Sequence, residues 1–161
     1  MAVFKTANGK GKYHDTESKK QVIRYILDPS KMIHGYYGAF HVDTCNIVES
    51  MNEVSRHFGK SDGVQLRHFI LSFDYEEVWS YKIVNDIAKK IAYRLGREYQ
   101  IVYAVHETQS SPHFHFVMNS VSYVDGHRYY GTKKEHHAMM DVIRDVLKEY
   151  CIKELRYISN A

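Results

Sequence analysis

Three histidines, His106, His113 and His115, stand where two apolar runs meet: IVYAVH, then ETQSSP, then HFHFVMNSV. His113 and His115 are two apart on a stretch that reads as a β-strand, so both imidazoles leave it on one face. Phe114, Phe116 and Met118 leave on the other and can enter a core. In residues 101–106, Ile101, Tyr103 and Val105 form one face and Val102, Ala104 and His106 the other. A short connection holding Pro112 would make the two strands antiparallel neighbours and set His106 beside the pair. Three neutral imidazoles converging there, with coordination positions to spare, would hold a divalent ion, their ring nitrogens about 2.0–2.3 Å from one point. Eleven histidines in 161 residues also allow the competing reading of a solvated His-x-His strand face; the third histidine, at a strand end within reach of the pair, favours the metal.

Such a site admits more than one chemistry. Zn²⁺ with a general-base carboxylate would activate water. Glu107 is the nearest carboxylate in sequence, but it follows His106 directly and so points to the opposite face of the strand. Mg²⁺ or Mn²⁺ would instead polarise a phosphate oxygen and leave attack to a side chain. A tyrosine phenolate suits that role, because its phosphodiester is stable enough to hold a cut DNA end for religation. Tyr25 lies at the edge of a helical stripe, where its hydroxyl can emerge into a site; a tyrosine that merely caps the core fits the same position.

The elements that must position these groups can be read from periodicity. Residues 2–6 form a short strand, followed by a polar loop over 8–15 with Gly9 and Gly11. Val22, Ile23, Ile26 and Leu27 make a helical stripe over 18–27, ended by Asp28-Pro29 because the residue before proline avoids the helical region. A strand over 36–42 is followed by a helix over 46–58, capped by Asn46 or Thr44. In a strand over 64–73, Phe69, Leu71 and Phe73 point inward, while His68 and Ser72 lie on the opposite face, shared with the histidines. A helix over 81–95 stops near Gly96. The two histidine strands, 99–106 and 113–121, come next, then an Asp125-Gly126 turn that signals a hairpin and a last helix over 133–150. The class expected is α+β: a mostly antiparallel sheet of about five strands with helices packed on it, in one domain over residues 1–161.

Composition excludes several alternatives. A chain with 44% hydrophobic residues, fourteen tyrosines and seven phenylalanines can bury a sizeable core. A net charge of +3 is too small to mark a nucleic-acid binder by itself, so that reading must rest on local patches. Cys45 and Cys151 are isolated, without CxxC or a disulfide framework, the usage of a reducing compartment. No stretch approaches the ~20 apolar residues of a membrane span, and a soluble intracellular protein is expected.

The motifs, taken together, resemble conjugative relaxases, the mobilisation nucleases of plasmids and integrative elements within the HUH endonuclease superfamily. VYAVHETQSSPHFHFVMNSV is similar to their third motif, in the spacing of the P-type class. RHFILSF, residues 67–73, resembles the middle motif. VIRYILDPSK, residues 22–31, resembles the first motif of relaxases from Gram-positive conjugative transposons. The order, tyrosine first and histidines later, is theirs as well, and the likeness covers roughly residues 20–150.

The resemblance implies a metal-dependent endonuclease that nicks one strand of single-stranded DNA at an origin of transfer. It would remain joined to the 5′ phosphate through tyrosine, act in the bacterial cytoplasm, and work with accessory relaxosome proteins. Carried over, His106, His113 and His115 would bind Mg²⁺ or Mn²⁺, with Zn²⁺ as the other option, and Tyr25 would attack. Ser72 would contact DNA near the scissile phosphate, and His68 would either support a ligand or take the tyrosine's proton.

Basic residues Lys5, Lys10, Lys12, Lys19, Lys20, Arg24 and Lys31 stand against three acids in residues 1–31, and Arg128, Lys133 and Lys134 flank the later turn. Of these, Lys31, Arg128, Lys133 and Lys134 are the expected phosphate contacts. In the pairs Tyr36/Tyr37 and Tyr129/Tyr130, alternation sends one ring to the core and leaves the other to stack on bases.

One departure stands out: the acidic residue often found two places after the first histidine is Thr108 here. Three rivals are carried forward. They are a replication initiator or transposase of the same superfamily using Tyr150 of a Tyr150–Lys153 pattern, a metal-dependent phosphoester hydrolase, and a non-catalytic nucleic-acid-binding module.

Overall fold

A computed structural model of the chain describes residues 1–7, 13–74, 80–108 and 111–159. The strands are β1 (Ala2–Thr6), β2 (Met32–Phe40), β3 (Leu66–Ser72), β4 (Ile101–Thr108), β5 (Ser111–Asn119) and β6 (Leu155–Ser159). The helices are α1 (Thr16–Ile26), α2 (Ile47–His57), α3 (Tyr81–Leu95) and α4 (Lys133–Lys148). The strands form one sheet in the order β2-β4-β5-β3-β1-β6, in which successive side chains leave on opposite faces.

Alternation assigns the two faces. Phe4, Phe69, Leu71, Phe114, Phe116 and Met118 meet α3 and α4 in the larger core. In α3 that side is built by Val84, Ile87, Ala88, Ile91 and Ala92, a stripe of helical period whose start is fixed by Ser80, which accepts the Ile83 N–H. α4 is fixed by a capping box in which Thr132 and Glu135 satisfy each other's backbone N–H groups. The opposite face carries a second cluster, in which Val22, Ile23 and Ile26 of α1 and Met51 of α2 pack on Leu66, Val102, Ala104 and Val117. Helices therefore flank both faces, and α1 and α2 cover the histidine side.

The mostly antiparallel sheet stands, and among the described residues it has a sixth strand, β6, which pairs with β1 in parallel and makes the sheet mixed. β6 escapes sequence reading because its alternation buries little: none of its residues is fully buried. Pro112 lies within β5 opposite Glu107, its carbonyl accepting the Phe73 N–H at 3.0 Å; next to the strand's first residue, its missing donor is tolerated. The Asp125-Gly126 turn forms, with Gly126 at φ +78°, but only a single bridge, Val121–Arg128, replaces an extended hairpin. Arg128 is drawn instead to the Lys60 and Asp62 carbonyls.

β2 starts at Met32, ahead of expectation, and carries a bulge before Tyr37 where Gly35 adopts φ +68°. Asn46 occupies the first cap of α2 but makes no side-chain capping bond. Of the polar loop over 8–15, Gly9, Gly11, Lys10 and Lys12 lie outside the described residues, as does the Thr108 side chain. Among the described residues no helix is long and apolar enough to cross a membrane.

Candidate metal and nuclease site

Strand register assembles the histidines. One row across the sheet runs Val3–Ser72–His113–His106–Met32, and the next Lys5–Ile70–His115–Ala104–Tyr37. His68 stands one row further along, diagonal to His115. His106, His113 and His115 each offer one ring nitrogen, and these atoms lie within 4.8 Å of one another. Two nitrogens bound to one ion are at most ~4.2 Å apart, so small ring movements would bring the set onto a shared ion.

Each ring is held by its other nitrogen. His106 Nε2 donates to the Ile26 carbonyl at 2.7 Å, and His113 Nδ1 to the Ser111 carbonyl at 3.2 Å. A carbonyl only accepts, so both tautomers are fixed, leaving Nδ1 of His106 and Nε2 of His113 with lone pairs for a cation. The Ile26 carbonyl is available because α1 ends there, ahead of Pro29, leaving its last carbonyls without helical partners. His115 Nδ1 meets His68 Nε2 at 2.8 Å, and His68 Nδ1 meets the Tyr13 hydroxyl at 3.1 Å.

Burial keeps all three candidate ligands neutral. It pushes His115 down to about 2, with the neighbouring His68, His106 and His113 adding in the same direction. It also lowers His106, opposed by the bond to Ile26, and His113. Neutral imidazoles with free lone pairs are the state a cation requires.

Tyr25, on the last turn of α1, is 43% exposed and presents its ring edge-to-face to His115 at 5.5 Å and to His106 at 5.9 Å between centroids. The Lys31 ammonium sits 4.3 Å from the Tyr25 ring centroid. Tyr25, Tyr13 and His68 line one cavity of about 480 Å³ with Ala7, Ser18 and Gln21. Ser72, beside His113, turns its hydroxyl to the Val3 carbonyl at 3.4 Å.

Other expected residues lie elsewhere. Lys133 and Lys134 open α4, which packs on the opposite face. Lys19, counted in the basic stretch, is buried and donates to Asn52, because its side of α1 faces α2. In the tyrosine pairs Tyr129 is 6% exposed and Tyr130 65%, while Tyr36 packs on the larger core and Tyr37 is 56% exposed. Tyr150 packs against the larger core beside Lys90, so the sheet separates it from the histidines. Glu107 takes a bond from the Tyr81 hydroxyl and is exposed. A water-activating base at the cluster would therefore have to come from another residue.

Residues 25–152, a span that opens at Tyr25, match the relaxase family described as the MobA/VirD2-like nuclease domain. The chain belongs to this relaxase family. It is also 32% identical over 78 residues to Protein rlx of Staphylococcus aureus, a match covering 48% of this chain and 24% of that protein. The matched segment spans about a quarter of that relative's length.

Sequence reasoning missed two residues that act on the histidine cluster. Tyr13 comes from a loop with no periodicity to announce it. Asp28, read only as a helix stop, lies close enough to His106 to oppose its lowered pKa.

Proposed function

We propose that the chain nicks single-stranded DNA at an origin of transfer by attack of Tyr25, leaving a 5′-phosphotyrosine and a free 3′ hydroxyl. The observation that carries this reading is the Tyr25 ring lying edge-on against His106 and His115. His106, His113 and His115 would hold a divalent ion, which supplies Lewis-acid withdrawal of charge from the non-bridging phosphate oxygens. Three imidazoles without a carboxylate suit Mn²⁺ or Zn²⁺ better than Mg²⁺.

The protein's own groups do the rest. The Tyr25 oxygen forms a bond to phosphorus as the bond from phosphorus to the 3′ oxygen breaks. The exposed Tyr25 releases its proton to solvent, and the departing 3′ oxygen takes one up. The Lys31 charge lies beside the phenol where negative charge develops. His68 holds His115 rather than taking the Tyr25 proton, since both its nitrogens already have partners. Ser72 and Lys31 would meet DNA at the nick and the exposed Tyr37 would stack on a base. Arg128, Lys133 and Lys134, away from the cluster, would reach only flanking DNA. Accessory relaxosome proteins would present the strand, and the compartment proposed is the bacterial cytoplasm.

The test is incubation with a single-stranded origin oligonucleotide and Mn²⁺, followed by a denaturing gel. The unaltered chain and Tyr150→Phe should form a covalent adduct and Tyr25→Phe none, while still binding metal and DNA. Adduct formation by Tyr25→Phe but not Tyr150→Phe would move the nucleophile to Tyr150 and end the reading. Cleavage without adduct would show a hydrolase, and no cleavage a binding module.

A further inference from the structure

In the resembled pattern an acidic residue stands two places after the first histidine, a position where a carboxylate can orient a ligand imidazole; here that position is Thr108. We propose that Tyr13 is a positioning residue that does this work from the far side of the cluster, holding His68 so that His68 holds His115 as a metal ligand. This rests on the metal reading given above.

The chain of contacts is continuous: Tyr13 hydroxyl to His68 Nδ1 at 3.1 Å, then His68 Nε2 to His115 Nδ1 at 2.8 Å. For His115 to present the Nε2 lone pair, its Nδ1 must carry the proton and donate to His68 Nε2. His68 must then carry its own proton on Nδ1, and Tyr13 must accept it. A phenol hydroxyl can donate or accept, so the Tyr13 oxygen is able to take the His68 Nδ1 proton in the arrangement in which His115 can bind a cation.

The backbone supports the same assignment. Tyr13 adopts φ +60°, a left-handed conformation that a bulky residue rarely takes, and its carbonyl accepts the Gln65 N–H at 2.9 Å. Gln65 directly precedes β3, the strand that carries His68, so one backbone bond sets the loop and the strand in register. Strain held in place by such contacts gathers at functional sites. Half-buried against the smaller core, the Tyr13 ring meets His68 edge-on at 6.2 Å.

The test is calorimetric titration of Mn²⁺ into the full chain. Tyr13→Phe, which removes only the hydroxyl, should weaken Mn²⁺ binding roughly tenfold, within the ~10- to 100-fold range known for such outer partners, without changing the melting temperature of the metal-free chain. His68→Ala should weaken binding at least as much, and the double variant no more than His68→Ala, because the tyrosine acts through the histidine. Imidazole ¹H–¹⁵N spectra with Zn²⁺ give a separate readout. His115 and His68 should both be protonated on Nδ1, and Tyr13→Phe should shift His68 toward the Nε2 form. Unchanged Mn²⁺ affinity in Tyr13→Phe, losses that multiply in the double variant, or a proton on His115 Nε2 would overturn the proposal. Failure of the unaltered chain to take up either ion would overturn the metal reading beneath it, an outcome distinct from uptake that ignores Tyr13.

Discussion

On one face of the sheet Phe4, Phe69, Leu71, Phe114 and Phe116 are at most 1% exposed beneath α3 and α4. On the other, one residue away along the same strands, His68, His113 and His115 form a polar cluster with His106 beneath the end of α1. The side chains named on both faces are buried, yet they are held differently. The phenylalanine face is stabilised by area removed from water and by ring packing such as Phe69 on Phe116 at 4.9 Å. The histidine face spends burial on keeping imidazoles neutral and aimed. Strand alternation lets a small domain keep stability and chemistry within the same few residues of sequence.

The sharpest way to break this comparison is to truncate one residue on each face. Phe116→Ala should cost ~3–5 kcal/mol of stability in urea denaturation. His113→Ala should cost under ~1 kcal/mol without metal, yet remove Mn²⁺ uptake and nicking together. A larger stability loss from His113→Ala than from Phe116→Ala would mean that the histidine face is a structural core.

Acid should distinguish the faces next. The folded values of His106, His113 and His115 lie below the ordinary 6.5, so below that pH the unfolded chain binds more protons than the folded one. Their contribution to stability is therefore full above about pH 6.5 and is lost progressively as pH falls, at up to ~1.4 kcal/mol per pH unit for each fully buried imidazole. Because His115 is held down to about 2, its loss continues through the whole acid range. Urea midpoints measured between pH 7 and 5 should fall less steeply in His115→Gln than in the unaltered chain. For the same reason metal should survive to a lower pH than an ordinary imidazole site.

The smallest effect concerns the surface charges. Lys31→Met should slow adduct formation roughly two- to fivefold, the ~0.5–1 kcal/mol of an exposed cation over a ring. Lys133→Met with Lys134→Met should leave the rate of the chemical step unchanged, since both stand on the first turn of α4. A slower chemical step in the α4 variants than in Lys31→Met would show that the strand crosses the other face.

What was legible in the chain follows from periodicity. The alternation of His113 and His115 with Phe114 and Phe116, the helical stripe of α3, and the shared face of His68 and Ser72 all stand in the structure. What was illegible depended on contacts that leave no pattern. β6 joins by backbone pairing to β1 with little burial. The Ile26 carbonyl reaches His106 only because α1 stops where it does. Tyr13 enters the site from a single left-handed residue, and Lys19 looked like a surface charge until α2 was packed against it.

The central claim is that Tyr25 carries the cut strand, and peptide mapping of the covalent adduct by mass spectrometry tests it most directly. After reaction with a single-stranded origin oligonucleotide and Mn²⁺ and digestion of both polymers, the phosphonucleotide mass should fall on the peptide containing Tyr25, with the phosphate joined to the phenolic oxygen. Its appearance on Tyr13, Tyr150 or any other residue would contradict the account.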